Sequence, residues 1–105
     1  MNKISVLGCG RWGSFIAWYL ATKKGKEVWS WGPDGDYSYE VLKNTGKNEY
    51  VTLDKSIVLT CDLAKAVARA EIIIISISSQ GLRGFIEKIK ACGDVSEKYF
   101  VLCMK

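Results

Sequence analysis

The chain has no histidine and only one proline, Pro33, among its 105 residues. Its four cysteines stand at positions 9, 61, 92 and 103, and none of them forms a C-x-x-C pair. Protein zinc sites are built mainly from closely spaced cysteine and histidine ligands. We therefore expect no metal site. We also expect the cysteines to be free thiols of a cytoplasmic protein, because the cytoplasm is reducing.

Long apolar runs and blocks of like charge are also missing. Every unbroken apolar run, including the four isoleucines 72–75, is far too short to span a bilayer. The net charge is +4, but the lysines and arginines are scattered, which argues against a nucleic-acid-binding arm. A strand-like pattern begins at residue 2 or 3, where a signal peptide would otherwise start. We therefore expect neither a nucleic-acid partner nor a membrane.

What the chain does have is an ordinary globular composition and an alternating pattern of elements. Apolar residues make up 49% and charged residues 25%, which suits one domain over residues 1–105. The pattern predicts five strands, at 2–7, 27–31, 57–60, 72–77 and 99–103. Helices are predicted between them at 11–24, from Asp36 or Ser38 to about 43, at 62–69, and at 82–91. This alternation predicts an α/β fold: a Rossmann-like, doubly wound parallel sheet in three layers, α/β/α.

A glycine-rich turn joins the first strand to the first helix, with glycines at positions 8, 10 and 13. In a G-x-G-x-x-G turn between a strand and a helix, the first glycine allows the tight turn. The second lets the backbone approach a pyrophosphate, and the third lets the helix pack against the strand. We therefore predict dinucleotide binding by Gly8, Gly10 and Gly13, with packing alone as the alternative. Cys9, inside the turn, has either a lowered thiol pKa or the role of a small residue that fits there.

The carboxyl ends of parallel strands meet at one edge of the sheet, and ligands of doubly wound folds bind outside that edge. The turn at Gly8, the segments 32–33 and 78–80, and residues 104–105 should therefore lie together. Ser79 and Gln80 either contact a cofactor or cap the following helix. Trp29 and Trp31 either stack on adenine or belong to the core.

The cofactor is NAD or NADP, and the sequence favours NADP or the use of both. NAD-specific sheets carry an acid at the end of the second strand, where this chain has Gly32. No carboxylate is expected there to repel a 2′-phosphate, and Lys43 or Arg11 is expected to approach it.

The turn has a tryptophan at its fifth position, Trp12, and in this it resembles the N-terminal domain of NAD(P)-dependent glycerol-3-phosphate dehydrogenases. Four further segments are similar to that family, so the resemblance covers the whole chain: 28–32, 48–50, 75–83 and 101–105. It implies hydride transfer between a nicotinamide cofactor and dihydroxyacetone phosphate or glycerol 3-phosphate. Among the residues it implies at the cofactor are Arg11, Trp12, Pro33, Tyr50, Ser79, Gln80 and Lys105, with Lys105 also at the substrate.

The chain departs from the family at several points. Arg11 stands where serine or asparagine is usual, and Ser78 stands where proline is usual. The helical second domain that carries the family's catalytic lysine is missing, so we interpret the chain as a truncated piece. Such a piece is expected to bind cofactor without turnover. Its fifth strand should then be an exposed apolar edge, and we expect a homodimer or poor solubility.

Two other functions remain as alternatives. One is a related two-domain dehydrogenase such as a ketopantoate reductase, which Trp12 and the 79–80 segment disfavour. The other is a regulatory nucleotide-sensing module, which the missing acid at Gly32 disfavours. The coding sequence downstream of residue 105 would distinguish a dehydrogenase from a free-standing module.

Overall fold

A computed structural model describes residues 2–77 and 79–103, without the side chain of Ser79. Its five strands are β1 (Lys3–Leu7), β2 (Glu27–Trp31), β3 (Val58–Thr60), β4 (Ile72–Ile75) and β5 (Tyr99–Leu102). Its four α-helices are α1 (Arg11–Lys24), α2 (Tyr37–Thr45), α3 (Leu63–Arg69) and α4 (Leu82–Ala91). All strand pairs are parallel, in the order β3-β2-β1-β4-β5. The predicted Rossmann-like α/β fold is confirmed.

The all-isoleucine strand β4 lies between β1 and β5 and is buried on both faces, as expected for an inner parallel strand. Ile73 and Ile75 belong to the core cluster formed with α3 and α4. Ile74 belongs to the cluster on the opposite face, with Ala17 of α1. The helices therefore cover the two faces of the sheet in pairs, which leaves the carboxyl edge free for a ligand.

The helix ends follow the sequence closely. Asp36, and not Ser38, caps α2 through a 3.2 Å hydrogen bond from the Tyr39 N–H group. Asp62 caps α3 in the same way. Helix α1 ends at Gly25, whose φ of 63° is the left-handed conformation that glycine adopts without strain.

Several boundaries differ from the prediction: β1, β3 and β5 are each one residue shorter, and α2 continues to Thr45. Strand β4 ends at Ile75 instead of residue 77, because Ile75 pairs with Leu7, the last residue of the neighbouring strand β1. The predicted loop after it includes a 3₁₀ turn, Ser79–Gly81. Strand β5 is the sheet edge expected from the sequence, and all four of its apolar residues are exposed.

None of the helices in residues 2–77 and 79–103 has the length and apolarity that a bilayer crossing requires. Within those same residues, no three histidine, cysteine, aspartate or glutamate side chains lie close enough together to hold a metal ion.

Candidate dinucleotide-binding cleft

A cleft of about 790 Å³ opens at the carboxyl edge of the sheet. It is larger than the two cavities lined by residues of the amino edge, of about 450 and 410 Å³. Residues from the turn after β1, the end of β2, the segment after β4, helix α4 and the end of β5 line it: Gly8, Cys9, Gly10, Arg11, Trp12, Trp31, Pro33, Asp36, Ser38, Ser76, Ile77, Gln80, Phe85, Lys88 and Cys103. The predicted convergence is present for the turn at Gly8, Pro33 and Gln80. Residues 78 and 104–105 lie outside the described residues.

The three glycines of the turn have different physical roles. Gly8 has a φ of 133°, and a Cβ there would overlap the carbonyl oxygen of Ser76. A Cβ at Gly13 would overlap the carbonyl oxygen of Gly8, so α1 packs directly on the turn. A Cβ at Gly10 would meet no atom within 4 Å. Gly8 and Gly13 are therefore needed for the fold, whereas Gly10 leaves space that a ligand can use.

The N-terminal end of α1 faces this space. The first intrahelical bond runs from the Ser14 N–H group to the Gly10 carbonyl oxygen at 2.9 Å. The three preceding N–H groups, of residues 11–13, therefore have no acceptor within the helix. Gly10 has no side chain that caps them, and the first turn contains no acidic residue. With the helix dipole, which is equivalent to about half a positive charge, this end suits an anion.

A smaller cavity of about 210 Å³, here called the side cavity, lies beside the cleft. Its lining residues are Cys9, Gly10, Arg11, Tyr37, Ser38, Val41, Asn48, Glu49 and Tyr50. The Arg11 guanidinium lies 5.0 Å from the centre of the Tyr50 ring, a cation–π distance. Tyr50 is therefore brought to the site, but it lines the side cavity and not the cleft.

At the end of β2, the structure explains why no acid stands at position 32. A Cβ on Gly32 would lie 2.7 Å from the Cβ of Tyr39 and 3.0 Å from the sulfur of Cys9. A carboxylate is nevertheless near, because Asp36 lines the cleft. Of the two cations expected to approach this region, Arg11 lines the cleft. Lys43 lines neither cavity, and its Nζ lies 6.0 Å from the centre of the Tyr39 ring.

The two tryptophans of β2 have separate environments. Trp31 is 8% exposed and belongs to the core, yet it also lines the cleft, with its ring centre 5.3 Å from that of Phe85. Its buried Nε1 has no hydrogen-bond partner among the residues that the structure describes. Trp29 lies under the guanidinium of Arg69, with 5.0 Å to the ring centre, and is absent from the cleft lining.

Cys9 is the small buried residue of the turn, and the alternative of a lowered thiol pKa is wrong. Burial raises the pKa of Cys9, although a hydrogen bond with the Ser30 hydroxyl partly offsets this. Its sulfur lies 3.5 Å from the Ser30 oxygen. Cys9 is therefore a poor nucleophile at neutral pH.

The remaining predicted residues have different outcomes. Trp12 and Pro33 line the cleft, and so does Gln80. The N-cap of α4 is Gly81, so Gln80 is not its capping residue. The side chain of Ser79 and all of Ser78, Met104 and Lys105 lie outside the described residues.

Sequence reasoning missed Phe85 and Lys88 as cleft residues. They stand three apart on α4 and so share a helix face, which the sequence does indicate. The direction of that face depends on how α4 crosses the sheet, and one sequence does not contain that information.

Residues 3–105 match a family model that is described as NAD-dependent glycerol-3-phosphate dehydrogenase N-terminus. The chain is 34% identical over 102 residues to the glycerol-3-phosphate dehydrogenase (NAD(P)+) of Thermoanaerobacter sp. (strain X514), covering 95% of this chain and 30% of the relative. The structure of the Coxiella burnetii glycerol-3-phosphate dehydrogenase superposes with a TM-score of 0.85 at 25% identity, covering 99% of this chain and 33% of that one. The structure of the Saccharomyces cerevisiae glycerol-3-phosphate dehydrogenase superposes with a TM-score of 0.82 at 27% identity, again covering 99% of this chain and 33% of that one. The chain thus spans about a third of the length of these relatives.

Proposed function

We propose, from the premise that the chain belongs to the family of NAD-dependent glycerol-3-phosphate dehydrogenase N-terminal domains, that it binds NAD or NADP in the cleft at its carboxyl edge. The observation that carries the proposal is the uncapped N-terminal end of α1, which opens onto the free space beside Gly10. A pyrophosphate is the part of a dinucleotide that such a helix end binds.

The residues present fit such a ligand at three points. The N–H groups of Trp12 and Gly13 would donate to the phosphate oxygens, and no side chain competes with them at Gly10. The rings of Trp31 and Phe85 offer an apolar wall for adenine. The unpartnered Nε1 of Trp31 is a donor for a ligand acceptor that reaches it.

We also propose that the parent protein catalyses the family's reaction. Dihydroxyacetone phosphate, NAD(P)H and a proton would give glycerol 3-phosphate and NAD(P)+, with the hydride moving from the nicotinamide to the carbonyl carbon. The cofactor supplies the hydride, and this chain's part is to bind and orient it. By resemblance, Lys105 would contact both cofactor and substrate.

Calorimetric titration of the chain with NADH and with NADPH tests the binding proposal. We expect saturable binding of at least one of them, weakened by added salt because the site recognises an anion. ADP, which shares the adenine and the diphosphate, should compete. Absence of saturable binding by both cofactors at millimolar concentration would contradict the proposal.

A chimaera tests the parent activity separately. Joined to the remaining two thirds of the Thermoanaerobacter relative, the chain should support oxidation of NADH or NADPH that depends on dihydroxyacetone phosphate. The unjoined chain should bind cofactor without turnover. A well-folded chimaera that binds cofactor and shows no such oxidation would favour the nucleotide-sensing alternative.

We propose further that two copies of the chain associate through β5 in a homodimer. Tyr99 is 59% and Leu102 is 56% exposed, and an apolar edge strand of this kind readily pairs with another strand. Mass measurement by light scattering should give twice the chain mass, and Val101→Lys should give the monomer. A chain without substitutions that stays monomeric at high concentration would contradict the homodimer.

A cytoplasmic location is a further proposal, supported by free thiols at all four cysteines.

A further inference from the structure

We propose that the side cavity receives the 2′-phosphate of NADP, with Arg11 as its cationic ligand and Tyr50 as the residue that positions Arg11. The inference rests on the proposed function, because it assigns one part of the same cofactor. In this arrangement Arg11 of α1, and not a residue at the end of β2, makes the chain selective for NADP.

The side cavity adjoins the cleft. It shares four lining residues with the cleft: Cys9, Gly10, Arg11 and Ser38. The two spaces therefore meet where the N-terminal end of α1 approaches the first turn of α2. A dinucleotide with its pyrophosphate at α1 places its adenosine ribose at the end of β2, beside this junction. The side cavity is thus within reach of the ribose 2′-oxygen.

The end of β2 lacks the acid that selects NAD. In NAD-specific sheets a carboxylate at the end of β2 binds the ribose hydroxyls and repels a 2′-phosphate. Here that position is Gly32, and Tyr39 and Cys9 occupy the space that a Cβ would need. The packing of α2 therefore excludes the NAD-selecting acid.

Tyr50 and its neighbours hold the side chain of Arg11. Tyr50 lies in the segment between α2 and β3, with its ring 5.0 Å from the guanidinium of Arg11. The backbone at Tyr50 is fixed by Asn48, whose Oδ1 accepts the N–H groups of Tyr50 and Val51 at 2.9 Å each. The Asn48 Nδ2 donates to the Ser14 hydroxyl of α1, also at 2.9 Å.

This arrangement fastens the segment to the helix that carries Arg11. The guanidinium therefore loses little conformational freedom when it binds a phosphate, and a guanidinium fork matches phosphate geometry well.

The charges around the cavity favour a phosphate only through Arg11. It is the one cationic residue in the described lining of the side cavity, and Glu49 is the one acidic residue. Asp36 lies nearby in the cleft, but one of its oxygens is engaged by the Tyr39 N–H group. Removal of the Arg11 charge should therefore abolish the preference for a 2′-phosphate, and removal of the Glu49 charge should increase it.

The test compares two ligands that differ only in the 2′-phosphate: adenosine 2′,5′-bisphosphate and adenosine 5′-monophosphate. Calorimetry on the whole chain should show a preference of about tenfold or more for the bisphosphate, the size expected for a charge-assisted bidentate contact. NADPH and NADH should show the same preference. If NADH binds as tightly as NADPH, the inference is wrong and the cofactor-binding proposal stands. If neither binds, both are wrong.

Variants separate the role of Arg11 from a general loss of affinity. Arg11→Met should reduce the preference to within about threefold, because it weakens binding of the bisphosphate far more than binding of the monophosphate. Lys43→Met, which removes a cation outside both cavities, is the matched control and should keep the full preference. An equal loss for both ligands in Arg11→Met would overturn the inference, because Arg11 would then act on the part they share.

Tyr50 is tested as a positioning residue. Tyr50→Ala should lower the preference by about threefold, and Tyr50→Phe, which keeps the ring, should restore it. A structural role alone would change the unfolding midpoint without changing the ratio of the two affinities, and that result would overturn the role of Tyr50. If Arg11→Met does not fold, the inference is still decided by the Tyr50→Ala and Tyr50→Phe variants and by the ratio of the two ligand affinities in the unsubstituted chain.

Discussion

Gly10→Ser should have opposite effects on stability and on binding. Gly10 is the N-cap of α1 with φ −73° and ψ −162°, which serine adopts without strain, and its Cβ would meet no atom within 4 Å. A serine there caps the helix by accepting an N–H group of the first turn, and this stabilises by a few tenths of a kcal/mol relative to glycine. The same hydroxyl occupies one of the donors that we assign to the pyrophosphate. Loss of one charge-assisted hydrogen bond, worth about 1.5 to 3 kcal/mol, lowers cofactor affinity by about 10- to 100-fold.

Two measurements on the same protein preparation check this prediction. Urea unfolding followed by tryptophan fluorescence should give a midpoint equal to or slightly above that of the parent chain. Calorimetry should show the loss of NADPH and NADH binding. Gly84→Ser is the matched control, because Gly84 lies in α4, lines neither cavity and also has no atom within 4 Å of its added Cβ. A Gly10→Ser variant that keeps full cofactor affinity would refute the reasoning.

Three further predictions follow from the same structure. Gly8→Ala should lower the free energy of unfolding by about 3 kcal/mol, because its Cβ overlaps the Ser76 carbonyl oxygen at a positive φ; an unchanged urea midpoint would be contrary to this. Cys9, buried and with a raised pKa, should react with a thiol reagent far more slowly than the exposed Cys61, a difference that denaturant should remove. The backbone N–H groups of Lys3 and Asn2 donate to the Glu71 carboxylate and lower its pKa. The contribution of Glu71 to stability is therefore present above its unfolded pKa of about 4.3 and is lost as the pH falls through its folded pKa. Glu71→Gln should therefore lower the urea midpoint at pH 7 and match the parent chain in strong acid; equal midpoints at pH 7 would contradict this.

Much of the fold was predictable because local chemistry and burial pattern agree. Asp62 caps α3 and Gly25 ends α1 at the positions where an N-cap and a left-handed glycine are expected. The run of isoleucines in β4 indicated burial on both faces, which the structure confirms. These features depend on neighbours within a few residues, so a sequence pattern contains them.

The candidate site was predictable only in part, because some of its geometry depends on contacts between distant segments. The glycine turn and its roles were identified, but the contact that excludes a side chain at Gly8 is made by Ser76, which follows the distant strand β4. The contact of Arg11 with Tyr50 joins residues 39 positions apart. The sequence left Arg11 and Lys43 as alternatives, and only the packing shows that Arg11 lines the cleft. Gly32 was recognised as a missing acid, yet the reason for it is the packing of Tyr39.

Amide chemical-shift mapping by NMR, with ¹⁵N-labelled chain titrated with NADPH, tests the central claim most directly. The account predicts that the largest shifts occur at the N–H groups of Arg11, Trp12 and Gly13, at the N-terminal end of α1. Largest shifts at the opposite edge of the sheet, around Glu71 and Lys98, or no shifts at saturating cofactor, would contradict it.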